Sequence, residues 1–373
     1  MRIALLHPTY WPEVRRGSER LAHDLGTTLA QRGHDVTLLT SHRAWPTTST
    51  EDGMRVRRSW RPPTIPGLHW YEDHVVNVPA AIWRLLRGEF DLAHALFPAD
   101  AWAALQARRR GGPPYVFSIH GIINREALVR RRYRIEMFRD ASAGAAATSA
   151  LSEAAVEPLR RYLLATDPVV LPGGMIGERF AGPVERAPEP TVICPASLDD
   201  ARKRGHLLLE AFALVRERRP DARLVLAGGR DPFSAGGQRV EDFPDPGSLP
   251  EGVTASDPDD AGLAAAYRRA WVTVLPSIDE AFGLVLVESL AAGTPVVGAR
   301  SGACPELVTD DAIGRLYEPD DAESLAAAIE AGLELAGDPD TVDRCRAAAE
   351  PWDWQRVIER YETVYRAAAG AWD

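Results

Sequence analysis

The chain has 373 residues, 45% of them hydrophobic and 26% charged, which excludes intrinsic disorder, collagen and coiled coil and suggests two domains at roughly 150 residues each. Its net charge of −10, with no recognisable nucleic-acid motif, argues against a nucleic-acid partner. No apolar run approaches the ~18 residues that span a bilayer, and the opening MRIALLHPTYWP stops at His7-Pro8, unlike a signal peptide, so a cytoplasmic protein is expected.

In chain order, residues 2–6 read as a buried strand, 18–32 as a helix with the apolar stripe Leu21, Leu25, Thr28 and Leu29, and 35–40 as a second strand. This strand–loop–helix–strand order implies a parallel sheet. Further strands are expected at 55–58, 92–95, 115–119, 145–149 and 169–171, with 62–66 a Pro-rich loop. The rhythm then restarts, with strands at 191–194, 223–227, 272–275 and 296–299 and helices at 207–219, 263–269 and 284–292. Residues 231–256 are rich in Gly, Pro and Asp and read mostly as loop, and an amphipathic helix closes the chain over 354–369. The expected domains are therefore 1–172, 173–350 and a closing helix within 351–373. Two doubly wound domains that face each other make a cleft at the carboxyl ends of their strands, where loop residues carry the chemistry.

Charge divides unevenly along this plan. Residues 1–172 hold 23 basic and 17 acidic side chains, whereas 173–373 hold 20 and 36, a net of −16. Of the 43 basic residues, 42 are Arg and one is Lys203, a bias that GC-rich codon usage accounts for. Cys194, Cys304 and Cys345 are odd in number and lack metal-like spacing, which fits a reducing compartment and argues against disulfides or zinc.

Four places can carry chemistry. Gly17 opens the helix after the first strand, where backbone amides can approach an anion, although a plain turn glycine is the competing reading. The dinucleotide pattern GxGxxG is absent there, which counts against NAD. His120-Gly121 follows the strand at 115–119 and can meet a substrate or be structural. Arg202, Lys203 and Arg204 stand before a helix N-terminus, a cationic placement against the helix dipole that suits a bound phosphate or, blandly, a solvated turn. In PSIDEAFGLVLVE, Glu280 and Glu288 are eight apart, Gly283 opens the helix, and the amides of Gly283, Leu284 and Val285 can hold phosphate oxygens. Asp257-Pro258-Asp259 matches a metal-binding DxD by letter only, and no metal or other cofactor is expected.

The chain resembles retaining nucleotide-sugar glycosyltransferases of family 4, which have the GT-B fold of two Rossmann-like doubly wound domains. The resemblance is carried by HPTYWPEVRRGSER, RGHDVTLLT, His120-Gly121, DDARKRGHLLLEAF and above all PSIDEAFGLVLVESLAAGTPVVGARSGACPELV, and it runs nearly end to end. It implies an acceptor domain followed by a donor domain, and a closing helix, near Trp354, that crosses back to the first. It implies that Gly17 and Lys203 contact a donor diphosphate and that His120 lies beside the donor sugar and acceptor. Glu280 would bind the sugar, Phe282, Gly283 and Leu284 would place amides near sugar and phosphate, Glu288 would bind the ribose, and Gly229 and Arg230 would lie near the base.

The chain departs from the family pattern at three places. Arg16-Gly17 keeps one glycine of a pair, Gly173 stands for an Asn after Pro172, and Ser197 stands where an Arg phosphate ligand is usual. Arg16, Arg202 or Arg204 would then compensate, and a one-residue slip leaves Lys203 or Arg204 as the phosphate ligand. The acceptor is open among lipids, polysaccharides and small natural products. Arg125, Arg130, Arg131, Arg132, Arg134 and Arg139, interleaved with Tyr133, Met137 and Phe138, form a candidate peripheral contact with an anionic membrane, or a solvated face. A GT-B nucleotide-sugar epimerase and a catalytically weak sugar-nucleotide-binding subunit are the alternative functions.

Overall fold

The computed structural model describes residues 1–14, 16–62, 74–125, 128, 132–198, 201–229, 234–235, 238–239 and 248–370. They form two units, one of Met1–Gly174 with Trp354–Asp373 and one of Met175–Asp353. The unit boundaries thus fall at 174/175 and 353/354, two to three residues from the 172/173 and 350/351 expected.

The first unit begins β1 (Arg2–Leu6), α1 (Gly17–Gln31), β2 (Asp35–His42), β3 (Thr47–Glu51) and β4 (Met54–Trp60). It continues α2 (Val78–Arg87), β5 (Leu92–Ala95), α3 (Pro98–Arg108), β6 (Tyr115–Ile119), α4 (Arg132–Ala143), β7 (Ala147–Ala150), α5 (Glu153–Pro158) and β8 (Val169–Val170). Its sheet runs β3-β4-β2-β1-β5-β6-β7-β8, parallel except for the β3–β4 hairpin. Because helices cover both faces, β1, β5 and β6 are short apolar runs buried almost throughout. β3 has no counterpart among the expected strands. Thr47–Glu51 is polar and mostly exposed at a sheet edge, so it lacks the apolar pattern, although the two residues Asp52-Gly53 that join it to β4 are a strong hairpin signal.

The second unit holds β9 (Thr191–Cys194), α6 (Gly205–Arg218), β10 (Arg223–Leu226), β11 (Ser234–Ala235), β12 (Gln238–Arg239), β13 (Val253–Ala255), α7 (Asp260–Arg269) and β14 (Val272–Leu275). α8 (Leu284–Ala291), β15 (Val296–Ala299), α9 (Cys304–Leu307), β16 (Gly314–Tyr317), α10 (Ala322–Leu335) and α11 (Thr341–Ala349) complete it. The six-stranded sheet is wholly parallel, in the order β13-β10-β9-β14-β15-β16. Numbered within the unit this is 3-2-1-4-5-6, the doubly wound order. The stretch expected as loop over 231–256 therefore ends in a sheet strand. Only Val253 of β13 is fully buried, too little apolar sequence to read as a strand.

The closing helix α12 (Trp354–Gly370) belongs to the first unit. Trp354, Val357, Ile358, Tyr361, Tyr365 and Ala368 recur at helical spacing and are all buried. The Tyr361 hydroxyl donates to the carbonyls of Leu171 and Pro172 at 3.2 and 2.9 Å. Arg32 donates to both Glu362 oxygens at 2.8 and 3.0 Å. Trp354 is 1% exposed, and its ring fills the space that a side chain at Gly174 would need. Trp354→Ala is expected to cost about 3–5 kcal/mol, read as a lowered urea midpoint.

Candidate functional site

In the second unit the strand order reverses between β9 and β14, so the loops that follow these two strands leave the sheet side by side. A tight turn, Ala201–Lys203, follows β9 and leads into α6. Ile278 N–H, in the loop after β14, donates to the Arg202 carbonyl at 3.0 Å and joins the two loops through their backbones. The Arg202 guanidinium then stands 3.6 Å from Glu280 Oε2. Arg204 is held differently, by an ion pair of 2.5 Å with Asp320. Lys203 lies near the Cys194 thiol at the end of β9, where burial pushes the thiol up to about 11 and the lysine charge opposes that rise.

The Glu280 loop is tightly specified. Asp279 N–H donates to Ser301 Oγ at 2.9 Å, and Ala303 N–H donates to the Glu280 carbonyl at 2.8 Å. Gly302, at φ +57°, presses against the Glu280 backbone, where a Cβ would lie 2.5 Å from the carbonyl oxygen. Gly283 caps α8 with φ 86°, and Phe282 packs edge-on to Trp352 at 5.5 Å. Leu284 and Val285 form the first turn of α8, whose leading amides lack carbonyl partners within the helix. Glu288 sits further along α8, 1% exposed, and accepts a 3.0 Å hydrogen bond from the Tyr267 hydroxyl. Ser197 follows β9, and Gly229 N–H donates to Ser256 at 3.2 Å beyond β10. Arg230 lies outside the described residues. The DxD-like letters have a local use: Asp259 caps α7 by accepting from Gly262 N–H at 2.8 Å.

In the first unit Arg16 caps α1 through its backbone and Gly17 begins the helix, both exposed. A Cβ at Gly17 would touch nothing within 4 Å. Nothing inside the fold thus requires glycine there. His120 follows β6, and neither of its buried ring nitrogens has a hydrogen-bond partner among the described residues. Burial, reinforced by His7 and His94, holds it well below the usual histidine range, so the ring is neutral near pH 7. His94 is neutral too, lowered to about 3 by burial, with Nδ1 2.6 Å from the Tyr365 hydroxyl and Nε2 2.6 Å from Ser118 Oγ.

In the Arg-rich stretch Met137 is buried and Phe138 packs edge-on to Phe117 at 6.3 Å, so these two pack against the core. Arg139 donates to the Tyr162 carbonyl at 3.1 Å, while Arg130 and Arg131 lie outside the described residues. No described helix is long and apolar enough to cross a membrane.

Residues 15–176 match the family model "Glycosyltransferase Family 4", and residues 189–334 match "Glycosyl transferases group 1". The phosphatidyl-myo-inositol mannosyltransferase of Mycobacterium tuberculosis is 28% identical over 100% of this chain and 98% of its own length. The MMP alpha-(1->4)-mannosyltransferase of Mycolicibacterium hassiacum is 30% identical over 76% of this chain and 72% of its own. The chain belongs to the family 4 glycosyltransferases. Its fold is GT-B, shared with the sucrose-phosphate synthase of Thermosynechococcus elongatus at a TM-score of 0.82, with 24% identity and 99% of each chain covered.

Sequence reasoning about this glycosyltransferase missed several residues that hold the candidate site residues in place. Tyr267 and Gly302 position Glu288 and Glu280, and Asp320 takes up Arg204. Gly302 lies inside the diagnostic stretch, but nothing in the sequence marks Tyr267 or Asp320. Asp100, in the first turn of α3, was missed as well. It is 3% exposed, and burial pushes its carboxyl from an ordinary 3.8 up to about 8. The folded state then keeps a proton that the unfolded chain loses above pH 4. Asp100 therefore lowers stability progressively from about pH 4 to about pH 8. Asp100→Asn should raise the melting temperature by a few degrees at pH 8 and leave it close to wild type at pH 4, as read in thermal melts at both.

Proposed function

We propose that this glycosyltransferase moves a hexose, with retention of configuration and without a metal, from a nucleoside-diphosphate sugar to an acceptor hydroxyl of an inositol-type polyol. The observation that carries the donor reading is the backbone joint between Ile278 and Arg202, which sets the Lys203 turn beside the Glu280 loop and the first turn of α8. A cationic turn and free helix amides at the carboxyl edge of a doubly wound sheet suit a diphosphate. The acceptor reading draws on the relative named for phosphatidyl-myo-inositol and stands with mannose as the first sugar to test.

In this reading the bond from the anomeric carbon to the diphosphate oxygen breaks while the bond to the acceptor oxygen forms on the same face. The acceptor proton passes to the departing phosphate oxygen. Lys203 and the α8 amides stabilise the charge that grows on the leaving group. Lys203 takes this role from the turn that the Ile278–Arg202 joint sets beside the Glu280 loop. Glu280 orients sugar hydroxyls, Glu288 with Tyr267 meets the ribose, and Gly229 and Arg230 lie near the base. Neutral His120 offers one donor and one acceptor to sugar and acceptor hydroxyls. Gly17 admits the diphosphate to the α1 amides, the use left for a glycine that the fold does not require. The protein works in the cytoplasm, and the arginines of 125–139 give it a peripheral hold on anionic lipid.

A thermal-shift panel of UDP-, GDP-, ADP- and dTDP-sugars should show one donor class raising the melting temperature. Lys203→Ala should then lower turnover by about 100-fold or more. Gly17→Ala should weaken the donor at least fivefold while leaving the melting temperature unchanged or slightly higher. Unchanged turnover in Lys203→Ala would remove it from the site, and nucleotide binding without transfer to any acceptor would favour a binding subunit. For the lipid contact, the protein should sediment with anionic vesicles at low salt and be released by high salt. Absence from the pellet would end that part of the reading.

A further inference from the structure

At the end of β1 a small cavity with room for about one water is lined by His7, Pro8, Thr40, Asn77, Arg84 and Asp100 among others. His7, Thr40, Asn77 and Asp100 are 2%, 5%, 6% and 3% exposed. Each nonetheless presents polar atoms without a partner among the described residues: His7 Nε2, Thr40 Oγ1, Asn77 Nδ2 and Oδ1, and Asp100 Oδ2. Folded proteins leave few such atoms unpartnered, and here they come from four separate segments and share one cavity.

The chemistry of these atoms selects a ligand. His7 Nδ1 lies 2.7 Å from the Thr9 carbonyl, so that nitrogen carries the proton and Nε2 is an acceptor. Asn77 offers a donor and an acceptor, and Thr40 offers either. Asp100 is held mostly protonated at pH 7 by burial. Arg84 commits its terminal nitrogens to the carbonyls of Arg57 and Arg58 at 2.6 and 3.2 Å. A phosphate would meet acceptors it cannot satisfy, whereas a hydroxyl, which both donates and accepts, matches the set. The place also fits a ligand. Strand order in this unit reverses between β1 and β5, with His7 directly after β1 and Asp100 just beyond β5, and doubly wound sheets bind ligands at such a reversal.

We propose that this cavity is a subsite for one hydroxyl of a neutral polyol, the acceptor of the transfer. That assignment of the polyol rests on the transferase reading above. The test uses the full chain without donor, and saturation-transfer NMR with glycerol, myo-inositol, mannose and glucose in turn. At least one polyol should give a signal that inorganic phosphate does not displace. Thr40→Val and Asn77→Leu should each weaken that polyol at least fivefold, with Thr40→Val melting no lower than wild type because it removes an unpartnered hydroxyl. Silence from all four polyols, displacement by phosphate, or wild-type binding in both variants would overturn the proposal. A lowered melting temperature in Thr40→Val with unchanged binding would do so too, since it marks a purely structural water site. Polyol binding without any transfer would sink the transferase reading and leave the subsite standing. Transfer with an acceptor KM unchanged in both variants would do the reverse.

Discussion

The reversal of strand order in each sheet is the constraint on which the rest depends. A chain that winds one way from its first strand and the other way from its fourth must leave the sheet at two adjacent points with its loops diverging over opposite faces. In the second unit those points are the ends of β9 and β14, and the hydrogen bond from Ile278 to Arg202 fastens the two loops where they part. In the first unit they are the ends of β1 and β5, which place His7 and Asp100 around one cavity. Neither pair is close in sequence. Parallel pairing brings each together, through registers such as Leu6 with Ala95 and Thr273 with Ile193.

Electrostatics then separate the two places. The sequence from 173 onward carries 36 acidic residues against 20 basic, so a cationic site there must be built against its background. The flanking arginines face carboxylates, Arg202 opposite Glu280 and Arg204 opposite Asp320. A planar guanidinium fork suits such fixed pairings, while an ammonium on a flexible stem suits a phosphate that moves as its bond breaks. A protein that uses Arg 42 times and Lys once has the lysine between those two arginines. Codon bias accounts for the arginines, and the proposed reaction would give the one lysine a use.

How far the fold and the site were legible in the sequence follows from what each feature needs. Buried parallel strands such as 92–95 and 115–119 announce themselves, because burial on both faces demands an unbroken apolar run. The Glu280–Glu288 stretch does so too, since a loop, a glycine cap and a helix occupy consecutive residues. β3 was hidden because a polar edge strand has no apolar face to display, and β13 because only one of its residues is fully buried. Tyr267 on Glu288, Asp320 on Arg204 and the four polar groups around the cavity were hidden for another reason. Each is defined by a partner or an enclosure set by tertiary packing, and an isolated Asp or Asn on a helix gives no local sign of it. In the Arg125–Arg139 stretch, spacing alone could not show that Met137 is buried and that Phe138 packs on Phe117.

The proposed reaction gives this electrostatic asymmetry a use. Transfer asks for two different environments. The diphosphate gains negative charge as it leaves and needs cations and oriented amides, a part the proposal gives to Lys203 and the first turn of α8. The acceptor hydroxyl must remain neutral until the departing phosphate takes its proton, and a charged base or acid beside it would favour water or premature ionisation. The first unit supplies neutral groups instead. Burial lowers His7, His94 and His120 and raises Asp100 towards 8, so that four ionisable side chains stand largely uncharged near pH 7. In the proposed reaction, desolvation, which costs stability at each of these groups, would fit the first unit to a hydroxyl as ion pairs and amides would fit the second to a phosphate.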